Sequence, residues 1–278
     1  MTRSSTLVKP ESARMLRATV LRRELVSPSM VRITAGGPGL DALTPLGFDQ
    51  WFRMLVPRPG QEELRLPPDL TLRGYLRYAT MNAATRPLLR NYTFRAIRPG
   101  EIDIDLVVHP AADPSAFSAA AWAQRCEIGS PLGVLDEGIM FAAPPRAESL
   151  LLVADESGLP AVAGVLAALP RDARGLALVE VPTPEDVQDL EAPEGVEVRW
   201  LPRHEPTGAA HDEHAVPGRL AAAAAASCTW PEGRPYAFVV GETGMTAAVR
   251  RHLVTERGLA KTDVAFCGYW KHGAKPAR

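Results

Sequence analysis

The sequence has 278 residues, of which 46% are hydrophobic and 23% charged, so its composition is that of a folded globular protein and not of a disordered chain. A formal net charge of −1 and an aromatic content of 6% argue against a nucleic-acid-binding protein. No run of about 18 apolar residues predicts a membrane-spanning helix, and the polar residues 1–14 do not resemble a secretory signal.

The few metal- and disulfide-forming residues give no pattern of a metal or disulfide site. Cys126, Cys228 and Cys267 lie far apart, so we expect neither a disulfide framework nor a Cys-x-x-Cys metal site, and we expect a cytoplasmic protein. The His-Asp-Glu-His run at 211–214 has metal-ligating residue types, but it lies in a predicted polar loop that would not fix its ligands, so we expect no metal there. Nothing in the sequence requires more than a monomer.

Short apolar runs separated by turn residues fill the first half of the chain. In the last of them, Ile102, Ile104 and Leu106 alternate with aspartates, which is the period-2 pattern of a strand with one buried face. Several short strands with frequent turns predict a small antiparallel barrel or sandwich. The predicted strands cover residues 16–25, 30–35, 48–56, 89–96 and 101–109.

The pattern changes after a proline-rich linker at 142–146. Continuous apolar runs, typical of strands buried on both faces, then alternate with helical segments, and this alternation predicts a doubly wound parallel sheet. We therefore expect a tail at 1–14, a β domain at 15–143 and an α/β domain at 144–278. The predicted strands are 150–154, 176–181, 196–201, 236–240 and 264–268, and the predicted helices are 159–169, 183–190, 220–227 and 245–257.

One run on a predicted strand, Arg90-Asn91-Tyr92-Thr93, has residue types that suit a flavin dinucleotide. An arginine can bind a phosphate with two hydrogen bonds, and a tyrosine ring can lie against a flat heteroaromatic ring. A threonine hydroxyl can bond a ring nitrogen. A run of only four residues does not establish a flavin site, because an ordinary barrel strand with a charged edge can contain the same residues.

Arg90-x-Tyr92-Thr93 resembles the RxY(S/T) motif of the ferredoxin-reductase superfamily, whose β-barrel domain carries FAD. The wider context resembles the siderophore-interacting protein family of flavin-dependent ferric-siderophore reductases. The matches occur in chain order: Arg90-x-Tyr92-Thr93-x-Arg95, an acidic alternating strand ending in His109, Ala121-Trp122-Ala123, Asp155-Glu156-Ser157-Gly158-Leu159-Pro160-Ala161, Glu180-Val181-Pro182, Gly241-Glu242 and Gly268-Tyr269-Trp270-Lys271-x-Gly273.

The resemblance implies an N-terminal antiparallel FAD-binding β-barrel followed by a doubly wound parallel-sheet domain of the NAD(P)-binding type. It implies that Arg90 contacts the FAD pyrophosphate, that Tyr92 packs on the flavin or its ribityl chain, and that Thr93 hydrogen-bonds near flavin N5. A small helix around 114–122 is expected to present backbone N–H groups to the pyrophosphate. The other cofactor-binding residues that the resemblance implies in this domain are His109, Ser115, Ser118 and Trp122.

In the second domain the resemblance implies that the residues after the strands face NAD(P)H and the flavin. Asp155 and Glu156 are expected to contact cofactor hydroxyls or the flavin face, although an acidic turn that caps the next helix is an equal alternative. Gly241 and Glu242 occupy the place of the loop beside the nicotinamide ribose, and Trp270 stands at the ligand-facing edge of the sheet. A basic wall for an anionic ferric siderophore is assigned to Arg73, Arg77, Lys271 and His272.

The chain departs from the family pattern in two places, since residues 110–115 lack the usual glycine-rich turn and Ser130 replaces the usual aspartate. In addition, the first strand of the second domain is not followed by the Gly-x-Gly-x-x-Gly of the usual Rossmann pyrophosphate loop.

The implied reaction is hydride transfer from NADPH or NADH to FAD, followed by single-electron transfer to the siderophore's Fe(III). It needs no catalytic acid, base or nucleophile from the protein. Two alternatives are a general flavin or ferredoxin reductase (diaphorase) and a non-catalytic flavin- or siderophore-binding protein. Reduced ferredoxin is a further possible electron donor.

Overall fold

The computed structural model describes residues 8–10, 14–61, 63–67, 72–108, 118–204, 216–230 and 232–274. The described chain divides into two compact units. The first comprises residues 8–46 and 50–138, and the second comprises residues 47–49 and 139–278. In the described part of the chain, no helix combines the length and the apolar character needed to cross a membrane.

The first unit is built around a closed, antiparallel, six-stranded barrel with strand order β1-β2-β5-β4-β3-β6, which confirms the predicted barrel. Its interior is apolar and includes the fully buried Ile33, Phe52 and Ile104. Among the described residues of this unit, two short α-helices accompany the barrel, and of these α1 was not predicted. The elements are β1 (Leu16–Ser27), β2 (Met30–Gly36), β3 (Trp51–Val56), α1 (Leu72–Thr80), β4 (Leu88–Arg98), β5 (Glu101–Val107), α2 (Ala119–Arg125) and β6 (Pro131–Gly138).

The strand predicted from residue 48 begins only at Trp51, so its predicted start is wrong. Gly47 and Phe48 have φ angles of 71° and 53°, in the left-handed region that a strand does not use. Residues 47–49 belong to the second unit, where the Phe48 ring stacks on Phe141 with centroids 5.1 Å apart. The buried Asp49 accepts hydrogen bonds there from the backbone N–H groups of residues 140 and 141.

The second unit contains a parallel five-stranded sheet of order β11-β10-β7-β8-β9, which confirms the predicted doubly wound sheet. The chain adds β8 and β9 on one side of β7 and β10 and β11 on the other, so the order reverses between β7 and β10. Such a reversal places a crevice at the carboxyl ends of the two strands. The elements are β7 (Ser149–Ala154), α3 (Leu159–Ala168), β8 (Gly175–Val181), β9 (Val196–Pro202), α4 (Arg219–Ser227), β10 (Pro235–Glu242), α5 (Thr243–Thr255) and β11 (Val264–Trp270).

The helix predicted at 183–190 is wrong, because only a single 3-10 turn, Pro184–Asp186, forms there. The Asp186 carboxylate accepts hydrogen bonds from both the backbone N–H and the hydroxyl of Thr183, which closes a capping box. Val187 then adopts an extended conformation and the helix does not continue. The capped turn therefore does not extend into the predicted helix.

Candidate functional site

The Arg90–Thr93 run lies on β4, in the middle of the barrel wall, where Arg90 pairs with Met54 and Thr93 with Trp51 on β3. Thr93 is buried, whereas Tyr92 is half-buried and packs against the barrel core. Burial raises the pKa of the Tyr92 phenol, and the nearby Arg90 charge only partly opposes this, so the phenol stays neutral.

The charge of Arg90 is not neutralised by the described residues. Its guanidinium donates a 2.8 Å hydrogen bond to the Leu89 carbonyl, and no carboxylate of the described chain forms an ion pair with it. By contrast, Arg98 on the same strand is paired with Asp103 at 2.7 Å, and Arg95 lies 3.6 Å from Asp105. Residues 70–100 contain six arginines and no acidic residue, a signal that is visible in the sequence. Arg90 is therefore suited to an anionic ligand.

Of the helix expected around 114–122, residues 114–117 lie outside the described residues, and the described helix spans Ala119–Arg125, so it ends three residues later than expected. Ser118 is extended and caps the helix, with its Oγ accepting a hydrogen bond from the Ala121 N–H at 3.1 Å. Trp122 is 8% exposed and packs into the barrel core. His109 and Ser115 lie outside the described residues, as do residues 211–214.

The four basic residues that are candidates for binding the substrate form two pairs, one in each unit. Arg73 and Arg77 are exposed on α1, while Lys271 and His272 are exposed just after β11. The helix α1 is further supported by Tyr78, whose hydroxyl donates to the Pro87 carbonyl at 2.9 Å.

Asp155 organises the carboxyl edge of the parallel sheet, where β7, β10 and β11 end. Its side chain is fully buried, and Oδ2 accepts hydrogen bonds from the Glu242 N–H at 2.7 Å and from the Trp270 Nε1–H at 3.0 Å. Oδ1 accepts from the N–H and hydroxyl of Ser157 and from the Gly158 N–H. Burial and the negative charge of the neighbouring Glu156 raise the pKa of Asp155 above its ordinary value, although the hydrogen bonds to Asp155 lower it.

Gly241 is required by the position of Asp155. It has a φ of 134°, and a Cβ atom at this position would lie 2.6 Å from an Asp155 carboxylate oxygen. The absence of a side chain at Gly241 therefore makes room for the Asp155 carboxylate.

Three further hydrogen bonds organise the end of β11 and the start of α5. The Glu242 carboxylate caps α5 through the Met245 N–H at 2.9 Å and accepts the His272 N–H at 3.1 Å. The Thr243 hydroxyl donates to the Trp270 carbonyl at 2.6 Å. Asp155, Glu242 and Trp270 were all predicted as site residues, and the structure brings them into direct contact.

Glu156 belongs to a buried ionic cluster that the sequence analysis missed. Arg203 donates to both Glu156 oxygens, at 2.7 and 2.8 Å, and to Glu180 at 3.0 Å. Glu180 in turn accepts from the N–H groups of Gly218 and Ala221 at the start of α4. Burial alone would lower the pKa of Arg203, but the two glutamates outweigh it and raise the pKa. The Glu156 carboxylate is thus occupied by Arg203, which is neither the cofactor contact nor the helix cap that the sequence suggests for this residue.

Comparison with known proteins gives consistent matches over almost the whole chain. The family model described as "Siderophore-interacting FAD-binding domain" matches residues 19–139, and the model "Siderophore-interacting protein" matches residues 147–273. The NADPH-dependent ferric-chelate reductase of Escherichia coli is 32% identical over 257 residues, which cover 91% of each chain.

Two further similar proteins are named for siderophore chemistry. The ferric vibriobactin reductase of Vibrio cholerae is 28% identical over 259 residues, which cover 91% of this chain and 88% of that protein. The crystal structure of a siderophore utilization protein from T. fusca superposes with a TM-score of 0.79 at 30% identity and covers 98% of both chains.

Proposed function

Because the chain belongs to the siderophore-interacting protein family, we propose that it is an FAD-dependent oxidoreductase that takes electrons from NADPH or NADH and reduces the ferric iron of a siderophore. The observation that carries this proposal is the unneutralised Arg90 beside the half-buried Tyr92 and the buried Thr93 on one barrel strand. The names of the similar proteins, which include two ferric reductases, support the same activity.

The described residues of the barrel fit a flavin dinucleotide. Arg90 supplies positive charge for the pyrophosphate. The stretch 70–100 contains no acidic residue, so it contributes no negative charge that would repel this anion. Tyr92 supplies an aromatic surface and Thr93 a hydroxyl. We propose that residues 15–143 hold FAD in this way and that residues 144–278 receive the electron donor.

Bound FAD would supply the redox chemistry, because it accepts a hydride from NAD(P)H and releases electrons singly to Fe(III). The role of the protein is to bind the flavin and its redox partners and to orient them. In the second unit, Asp155 fixes the indole of Trp270 and the start of α5, so the edge where the donor is proposed to bind is rigid. No side chain is assigned a proton transfer.

The ferric siderophore is proposed to bind at exposed positive charge, for which Arg73, Arg77, Lys271 and His272 are the candidates. These side chains attract an anionic complex from solution. Reduction lowers the charge of the iron from +3 to +2, which weakens its attraction to anionic oxygen ligands and promotes release.

The test of the flavin site is the variant Arg90→Ala, with Arg22→Ala as the matched control. Arg22 is an exposed barrel arginine whose partner Glu101 also has Arg98 within 3.5 Å. We expect Arg90→Ala to weaken FAD binding by about tenfold or more, measured by quenching of flavin fluorescence, because a charged hydrogen bond contributes about 1.5–3 kcal/mol. Equal affinity in both variants would contradict the assignment.

A further inference from the structure

Two groups of the described chain near the carboxyl end of β8 have the chemistry to bind a phosphate, and the protein itself occupies both. The first is the guanidinium of Arg203, which forms ion pairs with Glu156 at 2.7 Å and with Glu180 at 3.0 Å. The second is the start of α4, where the N–H groups of Gly218 and Ala221 donate to the Glu180 carboxylate at 2.7 and 2.9 Å. Neither group is therefore left to attract an anion from solution.

The ion pairs of Arg203 form a buried cluster with an excess of negative charge. The side chains of Arg203, Glu156 and Glu180 are 7%, 3% and 0% exposed, so salt and water screen them little. One guanidinium faces two carboxylates in this cluster. The cluster as a whole therefore repels a further anion at the end of β8.

The chain around this cluster is also acidic. Residues 182–218, which run from the end of β8 through β9 to the start of α4, contain nine acidic residues and no lysine. Their two arginines are Arg203 and Arg199, and Arg199 is paired with Glu197 at 2.7 Å. Among the acidic residues, Glu185 is exposed in the 3-10 turn that follows β8. Both positive side chains of this segment are thus already paired, whereas an exposed carboxylate stands next to the strand end.

The end of β8 is the position at which a sheet of this type meets the adenosine ribose of a dinucleotide. The β7–α3 unit comes first in the chain, and β8 follows it and lies next to β7 in the sheet. In such sheets an acidic residue about 20 positions after the first turn binds the 2′-hydroxyl, whereas a 2′-phosphate requires an arginine. Glu180 follows Glu156 of the first turn by 24 positions, and the arginine nearby is the paired Arg203.

We propose that this end of β8 makes the protein select NADH over NADPH as its electron donor. The two donors differ only in the phosphate on the adenosine ribose, and a phosphate monoester carries a charge of about −1.5 to −2 at pH 7. The acidic surface repels this charge, while the 2′-hydroxyl of NADH can donate a hydrogen bond to an exposed carboxylate such as that of Glu185. This inference rests on the proposed function and decides which of the two nicotinamides serves it.

The experiment measures, by calorimetry on the FAD-loaded protein, the dissociation constants of ADP-ribose and of its 2′-phosphate. Neither compound carries a nicotinamide, so the readout is binding and not turnover. We expect the wild-type protein to bind ADP-ribose at least about tenfold more tightly than the 2′-phosphate. We also expect the ratio of the two constants to shrink as the salt concentration rises, because the exclusion is electrostatic.

Two variants make the end of β8 more positive. Glu185→Lys reverses an exposed charge, and Glu156→Gln keeps the shape of the side chain while it removes one of the two charges that neutralise Arg203. The matched control is Glu194→Lys, which reverses an exposed charge before β9, about 20 Å from the carboxyl end of that strand and beyond the screening length of about 8–10 Å. We expect each of the first two variants to narrow the ratio by about threefold or more, and the control to change it by less than about twofold.

Three results would overturn the inference and leave the proposed function intact. They are equal or tighter binding of the 2′-phosphate by the wild-type protein, a ratio that narrows in neither variant, and a ratio that narrows as much in the control. Binding of neither compound would instead contradict the donor site of the proposed function, and the preference for NADH would be rejected with it.

Discussion

Replacing Asp155 by asparagine tests how the sheet edge is held together. The change keeps the shape of the side chain but converts one acceptor oxygen into an NH₂ donor. At the Oδ2 position the new donor would face the N–H groups of Glu242 and Trp270, and at the Oδ1 position it would face those of Ser157 and Gly158. The Oδ1 orientation is the less costly, because the Gly158 N–H also donates to the Asp155 backbone carbonyl at 3.0 Å and only the half-buried Ser157 N–H loses its acceptor. At about 1–3 kcal/mol for one unsatisfied donor, the expected loss of stability is about 1–3 kcal/mol.

The assay is equilibrium unfolding in urea, followed by circular dichroism, with Ser157→Ala as the milder control. That control removes only the 2.5 Å hydroxyl contact to the carboxylate, so we expect it to cost about 1 kcal/mol. A loss below about 1 kcal/mol for Asp155→Asn would mean that the carboxylate does not hold the sheet edge through the hydrogen bonds described.

Three further predictions concern stability. Arg203→Met leaves two buried glutamates without their counter-charge and is expected to lower the free energy of unfolding by about 3–5 kcal/mol; an unchanged urea midpoint would contradict the buried cluster. Gly164→Ala would place a Cβ atom 2.1 Å from the Phe48 carbonyl oxygen, so we expect a lower Tm and a cost of about 1–3 kcal/mol, which calorimetry can check. Burial alone would raise the pKa of Asp103, but hydrogen bonds led by that from Arg98 lower it below 3.8. Its ionised form therefore stabilises the fold fully above pH 3.8, and the stability difference between wild type and Asp103→Asn should shrink below pH 3.8 and be lost as the pH falls through the lowered pKa; a constant difference would contradict the pairing.

The pattern of short apolar runs predicted five of the six barrel strands, although in β5 the polar face is buried as well, because Asp103 and Asp105 are paired with Arg98 and Arg32. An apolar run also predicted the strand at residues 150–154, where every side chain is buried as the continuous apolar run requires. The excursion at 47–49 could not be predicted, because Phe48 has the apolar character of a strand residue and only the tertiary fold moves it into the second unit.

Long-range contacts explain what sequence reasoning missed in the candidate site. Arg203 and Glu156 are 47 positions apart in the sequence, so no local pattern predicts that they pair. Asp155 was selected as a site residue by its motif, but its bond to Trp270 spans 115 positions and emerges only from the sheet order. The basic character of residues 70–100, in contrast, can be read directly from the sequence by counting charged residues.

The most direct test of the proposed activity is an anaerobic optical titration of the purified, FAD-loaded protein. NADPH or NADH is added first and a ferric siderophore second, with free flavin and a simple ferric chelate as comparison acceptors. We expect the nicotinamide to bleach the flavin absorbance and the ferric siderophore to restore it, while Fe(II) appears in a ferrous-specific chelator assay. A flavin that bleaches but passes electrons only to free flavin, or that neither nicotinamide reduces, would contradict the proposed activity.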